Sequence, residues 1–202
     1  MNKRTNILLT VLLITAGSIF CAAVLQSQQQ ALAGKLVRLH IVGHSDAPKD
    51  QSEKLLVRDA VLAVTEPLAE TADNPRMALA EALPEIKSAA EHCLKLLGSD
   101  HTVSVSLEKE RFPTRRYENF ALPAGVYPSL RVTIGAGEGK NWWCVAFPSV
   151  CFCATSDELE TAAVFAGFTE NEIRLIMEDG DKYILKFKII ELLGELKERL
   201  FA

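Results

Sequence analysis

Residues 35–64 read KLVRLHIVGHSDAPKDQSEKLLVRDAVLAV, and the change of period inside this stretch decides the fold class. Leu36, Arg38, His40 and Val42 alternate with Val37, Leu39, Ile41 and Gly43. Period two with so many branched side chains predicts a strand buried on at least one face. The strand runs out at Gly43-His44-Ser45-Asp46, where Ser45 or Asp46 can accept backbone N–H groups and start a helix. Beyond it Val57, Val61, Val64 and Leu68 recur at helical spacing, and Pro67 is expected to stop the helix.

Working outward, Asn74 caps a second helix with Pro75 in its first turn, a favoured arrangement. Leu79, Leu83, Ile86, Ala90, Leu94 and Leu97 form its stripe, Pro84 is expected to kink it, and Gly98 closes it. From residue 101 the period returns to two. Val103, Val105 and Leu107 face one way, Leu130, Val132 and Ile134 repeat the pattern, and Trp142 to Phe147 form another apolar strand. Pro123-Ala124-Gly125 and Gly135-Ala136-Gly137-Glu138-Gly139 supply turn chemistry between them, the second read as a hairpin turn. Residues 157–168 suggest a short helix, and Asp179-Gly180 a hairpin joining strands 173–177 and 183–187. An amphipathic helix is expected over 189–200. Strands and helices in blocks, without strict alternation, give an α+β fold: a small mixed or antiparallel sheet packed with two or more helices. Residues 34–202 form one domain of this kind.

In front of that domain, Lys3 and Arg4 precede an uncharged apolar run from Ile7 to Leu25. About 20 such residues span a bilayer. Ala31-Leu32-Ala33 follows, a small-x-small triplet of the kind signal peptidase accepts. Residues 1–33 therefore act as an export leader, either cut after Ala33 or kept as an anchor through residues 7–25. The chain of 202 residues has 26 acidic and 22 basic side chains, and this balance argues against a nucleic-acid partner. A hydrophobic share of 49% is enough for a real core and too high for a disordered chain.

Motifs that carry chemistry are few. His44, Ser45 and Asp46 have the residue types of a hydrolase triad, but adjacent residues cannot converge side chain to side chain. His40 and His44 are four apart at the end of a strand, where i,i+4 spacing has no helical meaning, and no Cys-x-x-Cys accompanies them. No metal and no cofactor is expected. GAGEGK at 135–140 fails as a phosphate loop, with Ile134 and Asn141 where Gly and Ser or Thr are required. Lys109, Arg111, Arg115 and Arg116, interrupted by Glu110, read as a solvated basic loop or as a contact for anionic lipid or wall polymer. The conspicuous feature is Asn141-Trp142-Trp143-Cys144, which holds both tryptophans of the chain. On an alternating strand the two point to opposite faces. One reading puts a Trp in the core and a Trp on the rim; the other makes an exposed aromatic anchor for a partner. Unequal roles are expected, with one ring under the sheet and the other outside.

The runs RLHIVGHSDAPKDQSEKLLVRDAV (38–61) and ENFALPAGVYPSLRVTIGAGEGKNWWCVAFPSVCF (118–152), behind an export leader, resemble the stage II sporulation protein R family. The resemblance spans essentially the whole exported part. It is most specific at Asn141-Trp142-Trp143-Cys144 with Phe147-Pro148 and Cys151-Phe152, then at Ser45-Asp46 and Val57-Arg58-Asp59. The chain departs from the pattern at Gly43-His44, where Ala-Asn is expected, and it adds Cys153. The resemblance implies a non-enzymatic signal made in the forespore and exported to the space between the two septal membranes. There it would activate a membrane-embedded aspartic protease of the mother cell, which processes pro-sigma-E. Asn141, Trp142, Trp143, Phe147, Ser45, Asp46, Arg58 and Asp59 are then the candidate partner-binding residues. The competing reading is an exported hydrolase or wall-binding enzyme using His40, His44 or Asp46. A weaker one is a membrane-surface adaptor acting through the C-terminal helix.

Export permits a disulfide. A turn at Phe147-Pro148 sets Cys144 opposite Cys151, a turn at Pro148-Ser149 sets it opposite Cys153, and an extended strand leaves buried thiols. Backbone chemistry leaves these open. The family resemblance favours Cys144–Cys151, because Cys153 lies outside its pattern. Non-reducing peptide mapping of the exported protein is expected to return that pair; finding both thiols free to alkylate in the never-reduced, unfolded sample would overturn it.

Overall fold

All six residues of strand β1 (Val37–Val42) are buried, because layers cover it on both sides. The computed structural model describes residues 3–72, 74–117, 120–148 and 156–177. In it β1 lies inside a four-stranded sheet with β2 (Val103–Phe112), β5 (Gly125–Ile134) and β6 (Asn141–Phe147), in the order β2-β5-β1-β6. β1 runs parallel to β5 and antiparallel to β6, and β2 is antiparallel to β5, so the sheet is mixed. A small ribbon, β3 (Arg115–Arg116) with β4 (Ala121–Leu122), stands beside it. The fold is α+β, as the block pattern implies.

Alternation along β1 divides the molecule into two cores. Val37, Leu39 and Ile41 join Val57 and Val61 of α2 (Pro48–Thr71) with Ile86 and Leu94 of α4 (Leu83–Leu96) in the first core. The opposite face packs Phe112, Tyr127 and Val145 against Leu159 of α5 (Ser156–Phe165) and Ile173 of α6 (Glu170–Met177). Leu32 and Ala33, at the end of α1 (Lys3–Gly34), belong to this second core. Gln29 is buried with them and fills the space where a side chain at residue 125 would stand, which is why Gly125 suits that position. Upstream the same helix is exposed and apolar, with Leu8, Leu13, Ile19 and Phe20 all outward. By length and composition it can cross a membrane.

The structure corrects several local readings. Ser45 Oγ does accept a backbone N–H at the entry to α2, that of Ala47 at 3.1 Å, but neither Ser45 nor Asp46 is the N-cap: that is Ala47, which makes no side-chain cap bond, and Pro48 opens the first turn. The helix does not stop at Pro67 but runs to Thr71. Val64 and Leu68 flank that proline and pack on the first core, and Ala72 N–H bonds to Leu68 O; these contacts offset the bond Pro67 cannot donate. Pro84 does more than kink a helix. It sits in the first turn of α4, separate from α3 (Pro75–Glu81), whose Asn74 cap accepts Met77 N–H as expected. Residues 135–139 are not a hairpin turn, since β1 lies between β5 and β6 and the loop arches over its end. Gly139 N–H and Glu138 N–H bond there to Gly43 O and His44 O.

Residues 173–177 are helical, not a strand. Thr169 and Glu172 form a capping box: Glu172 N–H donates to Thr169 Oγ1, and Thr169 N–H donates to Glu172 Oε2 at 2.7 Å. Ile173 and Ile176 are then buried at helical spacing. The second strand of that hairpin (183–187) and the helix over 189–200 lie outside the described residues. Ile41 is fully buried in the central strand, so Ile41→Ala is expected to cost about 2–5 kcal/mol in urea denaturation. Loss of the Thr169 cap in Thr169→Ala should cost only about 1 kcal/mol.

Candidate functional site

Arg38 and His40 are buried on the β1 face that looks toward the second core, where an apolar pair would be ordinary. Each needs partners to be there. Arg38 has no exposed surface; its Nε donates to Cys144 O at 3.0 Å and its Nη2 to Tyr117 Oη at 2.9 Å. The guanidinium lies 4.3 Å over the Phe112 ring and 5.2 Å over Tyr127. Burial lowers its pKa, opposed by Tyr117 and Tyr127. Burial also pushes the Tyr127 hydroxyl up to about 12, and it donates to Pro123 O at 2.6 Å.

His40 is held at both ring nitrogens. Nδ1 lies 3.0 Å from Glu110 Oε1 and Nε2 lies 2.9 Å from Asn141 Oδ1. A carboxylate only accepts, so Nδ1 carries a proton. Glu110 also accepts from Ser129 Oγ at 2.5 Å and from Arg131 Nη1 at 2.6 Å. Burial alone would raise its pKa, but the Ser129 and His40 hydrogen bonds and the charges of His40 and Arg131 outweigh it, and the carboxyl sits below its usual range. Asn141 is exposed, so this network leads from the sheet interior to the surface.

The tryptophans sit where the network ends. Trp143 is paired with His40 across the strands, its ring 5.7 Å from the imidazole, and Arg115 covers it at 3.9 Å. Trp142 packs against the first core, and Arg58 lies 5.2 Å over its ring. Arg58 is in turn bonded to Asp59, Nε to Oδ1 at 2.7 Å. The rings point to opposite faces, as alternation requires. The expectation of one core and one rim tryptophan is corrected: both are half-buried, because each face has its own cover and its own arginine.

Of the other candidate residues, Phe147 pairs with Val37 at the far end of β6 and packs on the first core. Ser45 Oγ donates to Asp50 Oδ2, and Asp46 Oδ1 accepts Lys140 N–H at 2.7 Å, so these two brace the 135–140 loop just ahead of Asn141. Cys144 is disulfide-bonded, while Cys21 and Cys93 are free thiols. Cys151 and Cys153 lie outside the described residues. The hydrolase triad does not form: Ser45 Oγ donates to Asp50, His44 Nδ1 accepts Ala136 N–H, and Asp46 holds Lys140 N–H, so Ser45, His44 and Asp46 make no serine–histidine–aspartate relay.

Sequence reading missed Arg38, Glu110, Ser129, Arg131, Tyr117 and the stacking role of Arg115. Period two along β2 held the signal. Lys109 and Arg111 are exposed, and Glu110, read as a break in a basic run, faces the network. Lys109, Arg111, Arg115 and Arg116 are all exposed.

Removing the Glu110 carboxylate strands Ser129 and His40, so Glu110→Ala is expected to cost about 3 kcal/mol, the low end for a broken buried pair because Arg131 reaches solvent. The folded pKa of Glu110 is lowered, so its contribution is full above the ordinary 4.5 and is lost as pH falls through the folded value. Urea midpoints of the native chain and Glu110→Gln should therefore converge below that pH; a constant gap would refute the assignment.

The family model of stage II sporulation protein R (spore_II_R) matches residues 33–157, which include β1 to β6 and every residue of this network. Stage II sporulation protein R of Bacillus subtilis (strain 168) is 33% identical over 161 residues, 75% of this chain and 72% of that protein. No solved structure matches. With the match running from the end of α1 through β6 and into α5, the chain belongs to the stage II sporulation protein R family.

Proposed function

We propose that this chain is a non-enzymatic exported signal, made in the forespore, that activates the membrane-embedded aspartic protease of the mother cell and so starts pro-sigma-E processing. Membership of the sporulation family carries the reading. Two features support it. Ser45, His44 and Asp46 are each bonded outside a catalytic relay, and β6 presents Trp142 and Trp143 with each indole pinned by an arginine. Preorganised aromatic residues lose little freedom on binding and are enriched where interfaces concentrate their energy. Asn141, Arg58 and Asp59 complete the docking surface, while Ser45, Asp46 and Phe147 hold its frame.

The leader is retained as an anchor in this reading. Cleavage after Ala33 would remove Leu32, which has no exposed surface, from the second core. The domain then stands directly on the outer face of the forespore membrane and meets the protease across the narrow intermembrane space, close enough for contact with the lipid surface.

The test is co-expression with the protease and its pro-sigma substrate in a non-sporulating host. Cleavage should depend on this chain. Trp142→Ala and Trp143→Ala should each weaken activation by about 2 kcal/mol in apparent affinity, roughly thirtyfold. Equal cleavage without the chain would sink the proposal. N-terminal mapping of the same membranes should find the leader intact; a start at Gly34 would remove the anchor and leave a diffusible signal.

A further inference from the structure

His44, Asp50 and His101 come from three separate segments. His44 follows β1, Asp50 lies in the first turn of α2, and His101 precedes β2. The fold brings one ligand-type atom from each to within 4.8 Å of the others. We propose that these three residues bind a divalent transition-metal ion, with zinc the best fit, and that the ion clamps the β1–α2 turn to the start of β2.

The geometry is that of a site short of closure by one side chain. His101 Nε2 lies 3.4 Å from Asp50 Oδ1. Two ligands on a tetrahedral zinc with bonds of 2.0–2.1 Å lie roughly 3.3 Å apart. A charge-assisted hydrogen bond would be shorter, at about 2.7–2.9 Å. The carboxylate is oriented from behind by Ser45 Oγ, which donates to Oδ2 at 2.5 Å and leaves Oδ1 toward His101. That hydrogen bond, opposed by burial and assisted by His101, keeps Asp50 below the usual carboxylate range, in the ionised form a ligand needs.

His44 completes the set by a side-chain rotation. Its Nδ1 accepts Ala136 N–H at 3.0 Å, so that nitrogen holds a lone pair. Its ring is stacked on His101, with centroids 4.0 Å apart and planes at 21°. Coordination exchanges the Ala136 bond for the metal and turns the ring out of the stack. The backbone need not follow, since His44 O stays bonded to Glu138 N–H. Gly135, at φ 56°, gives the ring its place; a Cβ there would overlap Nδ1. Two imidazoles and one carboxylate favour zinc, cobalt or nickel over magnesium or calcium. Three protein ligands leave a fourth position for water or a partner's group.

The experiment uses the full-length chain in detergent, stripped with a chelator and titrated with zinc chloride by calorimetry, and with cobalt chloride by absorption. One equivalent should bind and raise the melting temperature, and the cobalt spectrum should lack a thiolate charge-transfer band. His44→Asn, Asp50→Asn and His101→Asn should each weaken binding at least about tenfold, and Ser45→Ala, behind the ligand, by roughly tenfold. Unchanged melting of His44→Asn without metal separates lost coordination from lost folding. His92→Ala, an exposed histidine of α4, should change nothing. No stoichiometric binding, or binding that survives loss of His44 and His101, or a thiolate band from Cys21 or Cys93, would overturn the site.

Discussion

A strand covered on both faces has to satisfy everything it carries, and β1 carries an arginine and a histidine. Every backbone group of that strand is engaged by β5 or β6 or lies beside them, so the side chains decide what each layer must supply. One face asks only for apolar volume, and α2 and α4 deliver it. The other face must solvate a guanidinium and an imidazole without water. Tyr117, the Cys144 carbonyl and two aromatic rings do so for Arg38, leaving only Nη1 without a hydrogen bond, and Glu110 with Asn141 does so for His40. A buried polar network is stabilising only when its members are paired, which ties β2, β5 and β6 to β1 in one register.

That network also explains why the tryptophans are placed as they are. Trp143 is the cross-strand neighbour of His40 and closes the same polar layer, while Trp142 turns to the helical layer and meets Arg58. Each indole presents an edge while its other side is packed, and each has a cation over its π face, an attraction that strengthens as water is removed. A partner docking on β6 would meet rings already held in place.

The second core has an unusual contributor. The end of α1 supplies Leu32 and Ala33, while its upstream turns expose leucine, isoleucine and phenylalanine that water does not favour. By length and composition those turns can cross a membrane, and the same helix continues without a break into Gln29 and Leu32, which are buried against the domain.

The sequence by itself determined the α+β class, the strand–helix order from β1 to β6 in outline, and the family, because each rests on local period, local turn chemistry or contiguous motif. It also assigned Asn74 to its cap and set Trp142 and Trp143 on opposite faces, since both follow from neighbours in the chain. It misjudged residues 173–177, where a five-residue, mostly apolar run fits either period and the Thr169–Glu172 box selects the helix. Tertiary structure alone decided that β1 lies between β5 and β6, so that residues 135–139 arch over a strand end. It alone joined His40 to Glu110, 70 residues away, and His44 to His101. Such pairings have no signature in spacing, because the distance along the chain is set by the connections and the distance in space by the sheet order. Burial of Arg38 was hidden for the same reason: only the layers that close over both faces of β1 reveal that its charge must be met from within.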